Sequence, residues 1–347
     1  MKVEPFDRRD APLDRPAAPA HFGRYPDGWF RVALSRDLPR GGVRPLYYLG
    51  QHLVLFRTGD GLARVFDAHC PHLGAHLGHG GRVEGEAIRC PFHGWLIDSD
   101  GRCVEVPYAG RVPGRARVRT WPVREANGVI MVYHHARGEP PTWELPELPE
   151  FVSCEWTPFR PARHWRIRSH IQDLAENGID TAHMPLVHRT QTRAIHSEVL
   201  EARGPVLVHR MAHEYRLFPL ARWLGARVHG PLEITYYGLG CAVNRALVHA
   251  GIELEYLALF TFTPIDERNV EVASLYSMKK IVNRAVSRVL LAKAMREGGR
   301  TIDQDVPIFE NKIHRSDPVL ATGDGPIAQY RRWARQFYSE PAALGGS

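Results

Sequence analysis

Cys70-Pro-His72 is answered, after seventeen intervening residues, by Cys90-Pro-Phe-His93. Two thiolates and two imidazoles on a pair of short loops can grip a two-iron cluster asymmetrically, with one iron taking both cysteines and the other both histidines. The neutral imidazoles raise the reduction potential well above that of an all-cysteine [2Fe–2S] ferredoxin, so such a site is a one-electron carrier. A structural zinc site uses the same residue types, but its usual spacings are Cys-x2-4-Cys and His-x3-5-His. The spacing here fits a Rieske-type cluster instead. His76 and His79 extend the first loop but have no counterpart in the second, and they read as ordinary loop histidines.

That pattern demands a scaffold of hairpins, and the sequence supplies one. Short apolar runs broken by turn residues start at Gly28-Trp-Phe-Arg-Val32 and continue over 44–49, 53–57, 63–67, 87–89 and 95–97, with Asp98-Ser-Asp-Gly101 as a turn. A last strand is expected over 128–133, and the proline-rich 139–150 reads as a stiff linker. From Phe159 the character changes. Residues 165–185 carry Asp, Glu and Asn at helical spacing and predict a helix; 254–263 and 270–278 predict long strands; 282–296 predicts another helix. The expected organisation is a leader (1–26), an all-β cluster domain (27–138), the linker, and a catalytic domain (151–347) with an antiparallel sheet and covering helices. The fold class is α+β.

A chain of 347 residues can build two full cores. Two of its five cysteines belong to the loops, which leaves Cys103, Cys154 and Cys241 as expected buried thiols and fits a reducing cytoplasm. The net charge of +7 rests on 45 basic residues, of which only five are lysine. No basic run is interleaved with aromatics, so nucleic acid is discounted, although a basic surface can attract an acidic electron-donor protein. The first 26 residues hold five prolines and many charges, which excludes a signal peptide's apolar core, and no run of eighteen apolar residues occurs elsewhere. Lys279-Lys-Ile-Val282 opens a basic amphipathic stretch read as a helix packed on its own domain.

A second metal site is encoded in Asp180-Thr-Ala-His183-Met-Pro-Leu-Val-His188. Pro185 is expected to end the helix, with His183 near its last turn and His188 on the following loop, bending back to one centre. Glu176, Asn177 and Asp180 would lie on or near the same face, where groups that orient a ligand belong. A non-haem Fe(II) oxygenase centre needs two histidines, one carboxylate and open positions for dioxygen. Asp305 is the candidate carboxylate; Asp303 and Glu310 are close enough that spacing alone does not choose among them.

The chain resembles a Rieske non-haem iron oxygenase α-subunit, and is most similar to the steroid-acting group of 3-ketosteroid 9α-hydroxylases and Neverland-type cholesterol 7-desaturases. The resemblance is carried by Cys70-Pro-His-Leu-Gly-Ala-His-Leu77, Cys90-Pro-Phe-His-Gly-Trp95, Val106-Pro-Tyr108, Glu176-Asn-Gly-Ile-Asp-Thr-Ala-His183, Asp305-Val-Pro-Ile308 and Asp324-Gly-Pro-Ile327 on to Tyr338. It implies Cys70, His72, Cys90 and His93 as cluster ligands and His183, His188 and Asp305 as ligands of a mononuclear Fe(II). It implies catalytic roles for Asn177 and Asp180, the latter linking His183 to a cluster histidine, His93, of the next subunit in a ring-shaped homotrimer. Respiratory Rieske proteins carry an extra cysteine in each loop; here those positions are Ala75 and Phe92, which points to the oxygenase branch. Two departures are Phe309, where the family often has Trp, and the absence of the membrane anchor of the animal proteins.

The implied reaction is reductive activation of O2 and attack on a C–H bond, giving hydroxylation or desaturation of a hydrophobic polycycle such as a sterol. Electrons would come from NAD(P)H through a separate reductase or ferredoxin, since no flavin or nucleotide fingerprint is present. The competing readings are a Rieske oxygenase for another hydrophobic natural product or aromatic compound, and a pure electron-transfer Rieske protein. The last leaves the second site unexplained.

Overall fold

The computed structural model describes residues 25–189, 192–215, 228–249, 252–281 and 283–339. The leader therefore falls almost wholly outside the described residues. Its strands and helices run in the order β1 (Gly28–Leu34), β2 (Val43–Tyr48), β3 (Gln51–Arg57), β4 (Ala63–Asp67), β5 (Arg82–Glu84), β6 (Ala87–Arg89), β7 (Leu96–Ile97), β8 (Cys103–Glu105), β9 (Thr120–Trp121), β10 (Val123–Ala126) and β11 (Val129–His134). Then come α1 (Pro149–Val152), β12 (Arg160–Arg168), α2 (Ile171–Glu176), α3 (Met184–Val187), β13 (Thr192–Arg203), β14 (Val206–Tyr215), β15 (Val228–Tyr237), β16 (Cys241–His249), β17 (Glu253–Pro264) and β18 (Asn269–Met278). The last α-helices among the described residues are α4 (Arg284–Phe309) and α5 (Ile327–Ala334), the latter followed by a short 3-10 turn over Arg335–Phe337.

The first half forms three small antiparallel sheets, β1-β11-β10, β2-β3-β4-β9 and β5-β6-β7-β8. The second half is one seven-stranded antiparallel sheet in the order β12-β18-β17-β16-β15-β14-β13. Strand alternation decides what each half touches. In β11, Ile130 and Val132 pack with Leu53, Leu55, Val65 and Trp121 of the first half. Val129, Met131 and Tyr133, on the opposite face, pack with Leu257, Leu259 and Leu275 of the large sheet. The strand expected to close the cluster domain is thus shared with the catalytic sheet. A polar bolt lies alongside: Arg31 pairs with Glu271 and donates from Nε to Thr261 Oγ1 (3.0 Å), while Tyr48 OH donates to Glu271 (3.1 Å).

The other face of the large sheet carries Ala258, Phe260, Phe262, Tyr276 and Met278, and against it lie α2, α4 and α5 through Leu174, Leu291, Phe309, Tyr330 and Trp333. α4 packs on β12 and β18. Gly298 lies at this contact, where a Cβ would press on the Tyr276 hydroxyl. No described helix is long and apolar enough to cross a membrane.

Several expectations are corrected. Trp165 does not start a helix. It sits in β12, where Trp165 and Ile167 are buried between exposed His164 and Arg166, and the strand pairs with β18. Pairing across a buried sheet outweighs the modest helical pattern there. The helix shrinks to α2, and Pro185, expected to end a helix, begins the single turn of α3 instead. Proline is tolerated in a first turn because its missing N–H would have no helical partner there. The helix expected over 282–296 continues to Phe309, and β13 to β16 had no sequence reading at all. Cys154 is exposed, whereas Cys103 and Cys241 are buried.

Candidate metal centres and their comparison with known proteins

The two cysteine loops are built alike. Cys70 N–H donates to Ala75 O and Gly74 N–H to Cys70 O; Cys90 N–H donates to Trp95 O and Gly94 N–H to Cys90 O. Both turns close through a glycine with positive φ, +75° at Gly74 and +72° at Gly94, which a side chain would strain. The repeated turn brings His72 and His93 to a ring separation of 4.6 Å, with His72 stacked on Trp95 at 4.5 Å and Trp95 Nε1 donating to Tyr108 OH.

These residues fit a two-iron cluster. Cys70 and Cys90 are buried and unlinked, and burial above all, with Cys90 beside it, pushes the Cys70 thiol up to about 11. A thiol so placed stays protonated unless a metal draws off its proton. His72 Nδ1 is buried without a hydrogen-bond partner. His76 Nδ1 accepts from Gly78 N–H, so the proton of the neutral ring sits on Nε2, which like His72 Nδ1 is buried without a hydrogen-bond partner. Burial, with His79, His69 and His52 nearby, pushes His76 down to about 4.

The second centre forms where α2, α3 and α4 converge. His183 and His188 flank the single turn of α3, with rings 5.2 Å apart, and α4 delivers Asp305 from the opposite side. Among the described residues this is the one group of three metal-type donors, all within 4.8 Å of one another. Ligands each about 2 Å from a common ion lie at most about 4 Å apart, so a small inward turn of these side chains closes the set on one ion. His188 is fully buried and Asp305 nearly so, at 0% and 2% exposure. Both nitrogens of His183 are buried without a hydrogen-bond partner. Burial draws His188 down, but Asp305 and Gln304 outweigh it and hold the ring above the ordinary histidine value, so the site favours positive charge. Donor set and field both fit a divalent iron.

Around these three, Asn177 Nδ2 donates to Asp305 Oδ2 at 2.9 Å, and Asp180 Oδ2 lies 3.5 Å from His183 Nδ1. Asp180 is not on a helix face with His183, as the sequence pattern suggested. It sits in the turn between α2 and α3, where its carboxylate accepts from Ala182 N–H. Burial works to raise its carboxyl, and the nearby His183 ring and the turn amides hold it below the ordinary value. Glu176 does not face the histidines; it makes a two-pronged pair with Arg331 of α5 at 2.6 and 2.9 Å. Tyr330 OH donates to Gln172 O, so the C-terminal helix clamps the base of the centre. Asp303 points away, to Arg163 and Trp165 Nε1. Glu310 lies beyond the end of α4, where its backbone oxygen accepts from Arg168.

Residues 28–122 match the Rieske [2Fe–2S] domain, and residues 132–338, more than half of the chain, match the 3-ketosteroid 9α-hydroxylase C-terminal domain. The chain belongs to this family of Rieske oxygenases. The Rieske oxygenase is 34% identical over 347 residues to the cholesterol 7-desaturase of Xenopus laevis, across 91% of this chain and 72% of the relative. It is 32% identical over 325 residues to a probable 3-ketosteroid-9-alpha-monooxygenase oxygenase component of Rhodococcus rhodochrous, across 91% and 80%. Dicamba monooxygenase bound to dicamba superposes with a TM-score of 0.68 over 89% of this chain and 96% of that one, and at 18% identity it shows the shared fold. As a Rieske non-haem iron oxygenase the protein uses a [2Fe–2S] cluster and a mononuclear iron.

Proposed function

We propose that this Rieske oxygenase hydroxylates or desaturates a steroid or sterol, as the oxygenase component of a system whose reductase or ferredoxin draws on NAD(P)H. The convergence of His183, His188 and Asp305 inside a 3-ketosteroid 9α-hydroxylase-type domain carries the reading. Cys70, His72, Cys90 and His93 hold the cluster, and His183, His188 and Asp305 hold the iron. When bound, the cluster supplies single electrons and the iron activates dioxygen toward a C–H bond.

The remaining roles belong to side chains. Asn177 engages Oδ2 of Asp305 and so leaves Oδ1 facing the histidines. Phe260, Phe262, Tyr276 and Met278, on the helix-facing side of the sheet, are buried against Phe309 and the helices; a polycyclic substrate would find matching apolar chemistry where this layer borders the iron site. A displacement of about 1 Å in the bound substrate selects hydroxylation or desaturation. Leu73, Phe92 and Tyr108 form an exposed apolar rim around His72 and His93, at 67%, 63% and 62% exposure. That rim supports docking of the cluster tip onto the catalytic half of another copy, in a homotrimer where Asp180 accepts a hydrogen bond from His93 of the next subunit.

The test is oxygen uptake coupled to product, with a surrogate reductase and a panel of sterols and 3-ketosteroids. Coupled turnover of at least one steroid is expected; uncoupled uptake with all of them, alongside coupled turnover of an aromatic acid, rejects the steroid reading. The cluster assignment is checked separately by His72→Cys, which should lower the potential toward the roughly −400 mV of all-cysteine plant-type clusters. An unchanged midpoint in a variant that keeps its cluster rules His72 out as a ligand.

A further inference from the structure

Gln304 and Asp305 are consecutive on α4, yet both reach the same imidazole. Asp305 Oδ1 lies 3.2 Å from His188 Nε2, and Gln304 Oε1 lies 2.8 Å from His188 Nδ1. Consecutive side chains leave a helix about 100° apart. They meet one ring only when it is wedged between them, each taking one of its two nitrogens. The ring is fully buried, so water is not an alternative partner for either nitrogen.

An amide oxygen has no proton to give, so this contact holds a proton on Nδ1, and Nε2, which faces the Asp305 carboxylate, is the nitrogen at which a cation would take the place of a proton. The opposite amide orientation would place N–H against Nδ1 and force the ring proton onto Nε2, where it would block a metal. We infer that Gln304 is a positioning residue for the mononuclear centre, fixing the tautomer and plane of His188 so that Nε2 is offered to the iron. The inference rests on the assignment of His188 and Asp305 as ligands. No motif marked Gln304 in the sequence; only the path of α4 past a buried ring brings it into the site.

Chemistry and packing separate cleanly at this position. Leucine fills similar space but leaves Nδ1–H buried without an acceptor and the ring free to turn. Glutamate keeps the shape and accepts more strongly, which makes the imidazole a better donor to a cation. The experiment is anaerobic competition for the mononuclear Fe2+ by a chelator, on the full chain with its cluster in place, with cluster absorption as the control for folding. Gln304→Leu should bind Fe2+ about 10–100-fold more weakly, while Gln304→Glu holds it at least as tightly as the native protein. Native affinity in the leucine variant, or equal losses in both, overturns the inference. If the leucine variant is not recovered with a cluster, the glutamate variant decides: native or tighter affinity supports the role, and loss removes it. His188→Ala in parallel tests the underlying assignment. Iron retained there refutes the ligand set itself, whereas iron lost there with native affinity in Gln304→Leu refutes only the role of Gln304.

Discussion

Asp180→Asn is expected to keep both metals and bind substrate, yet transfer electrons from cluster to iron about 10–100-fold more slowly. The substitution preserves size and removes one charge and one acceptor. Asp180 holds two kinds of contact at once. One carboxylate oxygen accepts from Ala182 N–H and fixes the α2–α3 turn, and the other lies 3.5 Å from His183 Nδ1. A third of its side chain surface is still open, at 33%, so it can meet a group from outside the chain. In the proposed trimer that group is a cluster histidine of the next subunit, and the carboxylate completes a short bonded path between the metals. Single-turnover oxidation of the pre-reduced cluster, with substrate and oxygen present, measures the step directly. A native rate in a fully metallated Asp180→Asn trimer would falsify the electron path.

Asp305→Ala should remove the mononuclear iron, leaving two irons per chain where three are expected, with the cluster spectrum intact. Removing one of the three proposed ligands from a buried site would leave His183 and His188 to hold a divalent cation without a neutralising carboxylate. Asp303→Ala is the matched control, because Asp303 is two residues away but bonded to Arg163 and Trp165 on β12. Its loss should leave all three irons and lower stability by about 1 kcal/mol, the typical contribution of such bonds. Iron analysis and a melting curve read both effects. Iron lost from Asp303→Ala and kept by Asp305→Ala would transfer the ligand role to the other carboxylate.

The family and the cluster type were legible in the sequence, and so were the residues that the fold brings together at the second centre, because donor residues of metal-binding type recur there at short spacing. Cys70, His72, Cys90 and His93 lie within two loops, and the loop geometry is local: each turn closes on its own cysteine through its own glycine. Short spacing also made His183 and His188 legible as a pair. It misjudged their scaffold, since the helix expected through Trp165 gives way to β12, and Pro185 starts a turn rather than ending one.

The choice among Asp303, Asp305 and Glu310 was undecidable from spacing, because all three lie within one or two helical turns. The direction in which α4 crosses the sheet decided the geometry, turning Asp305 inward and Asp303 toward β12. The same crossing brought Gln304 to His188, and the folding back of the C-terminal helix brought Arg331 to Glu176. β11 likewise read as the edge of one domain, and only its alternating faces show it packed against both halves. Local chemistry is written in local sequence; partners more than a hundred residues apart are set by packing, whose energy is spread over many apolar contacts that no short motif encodes.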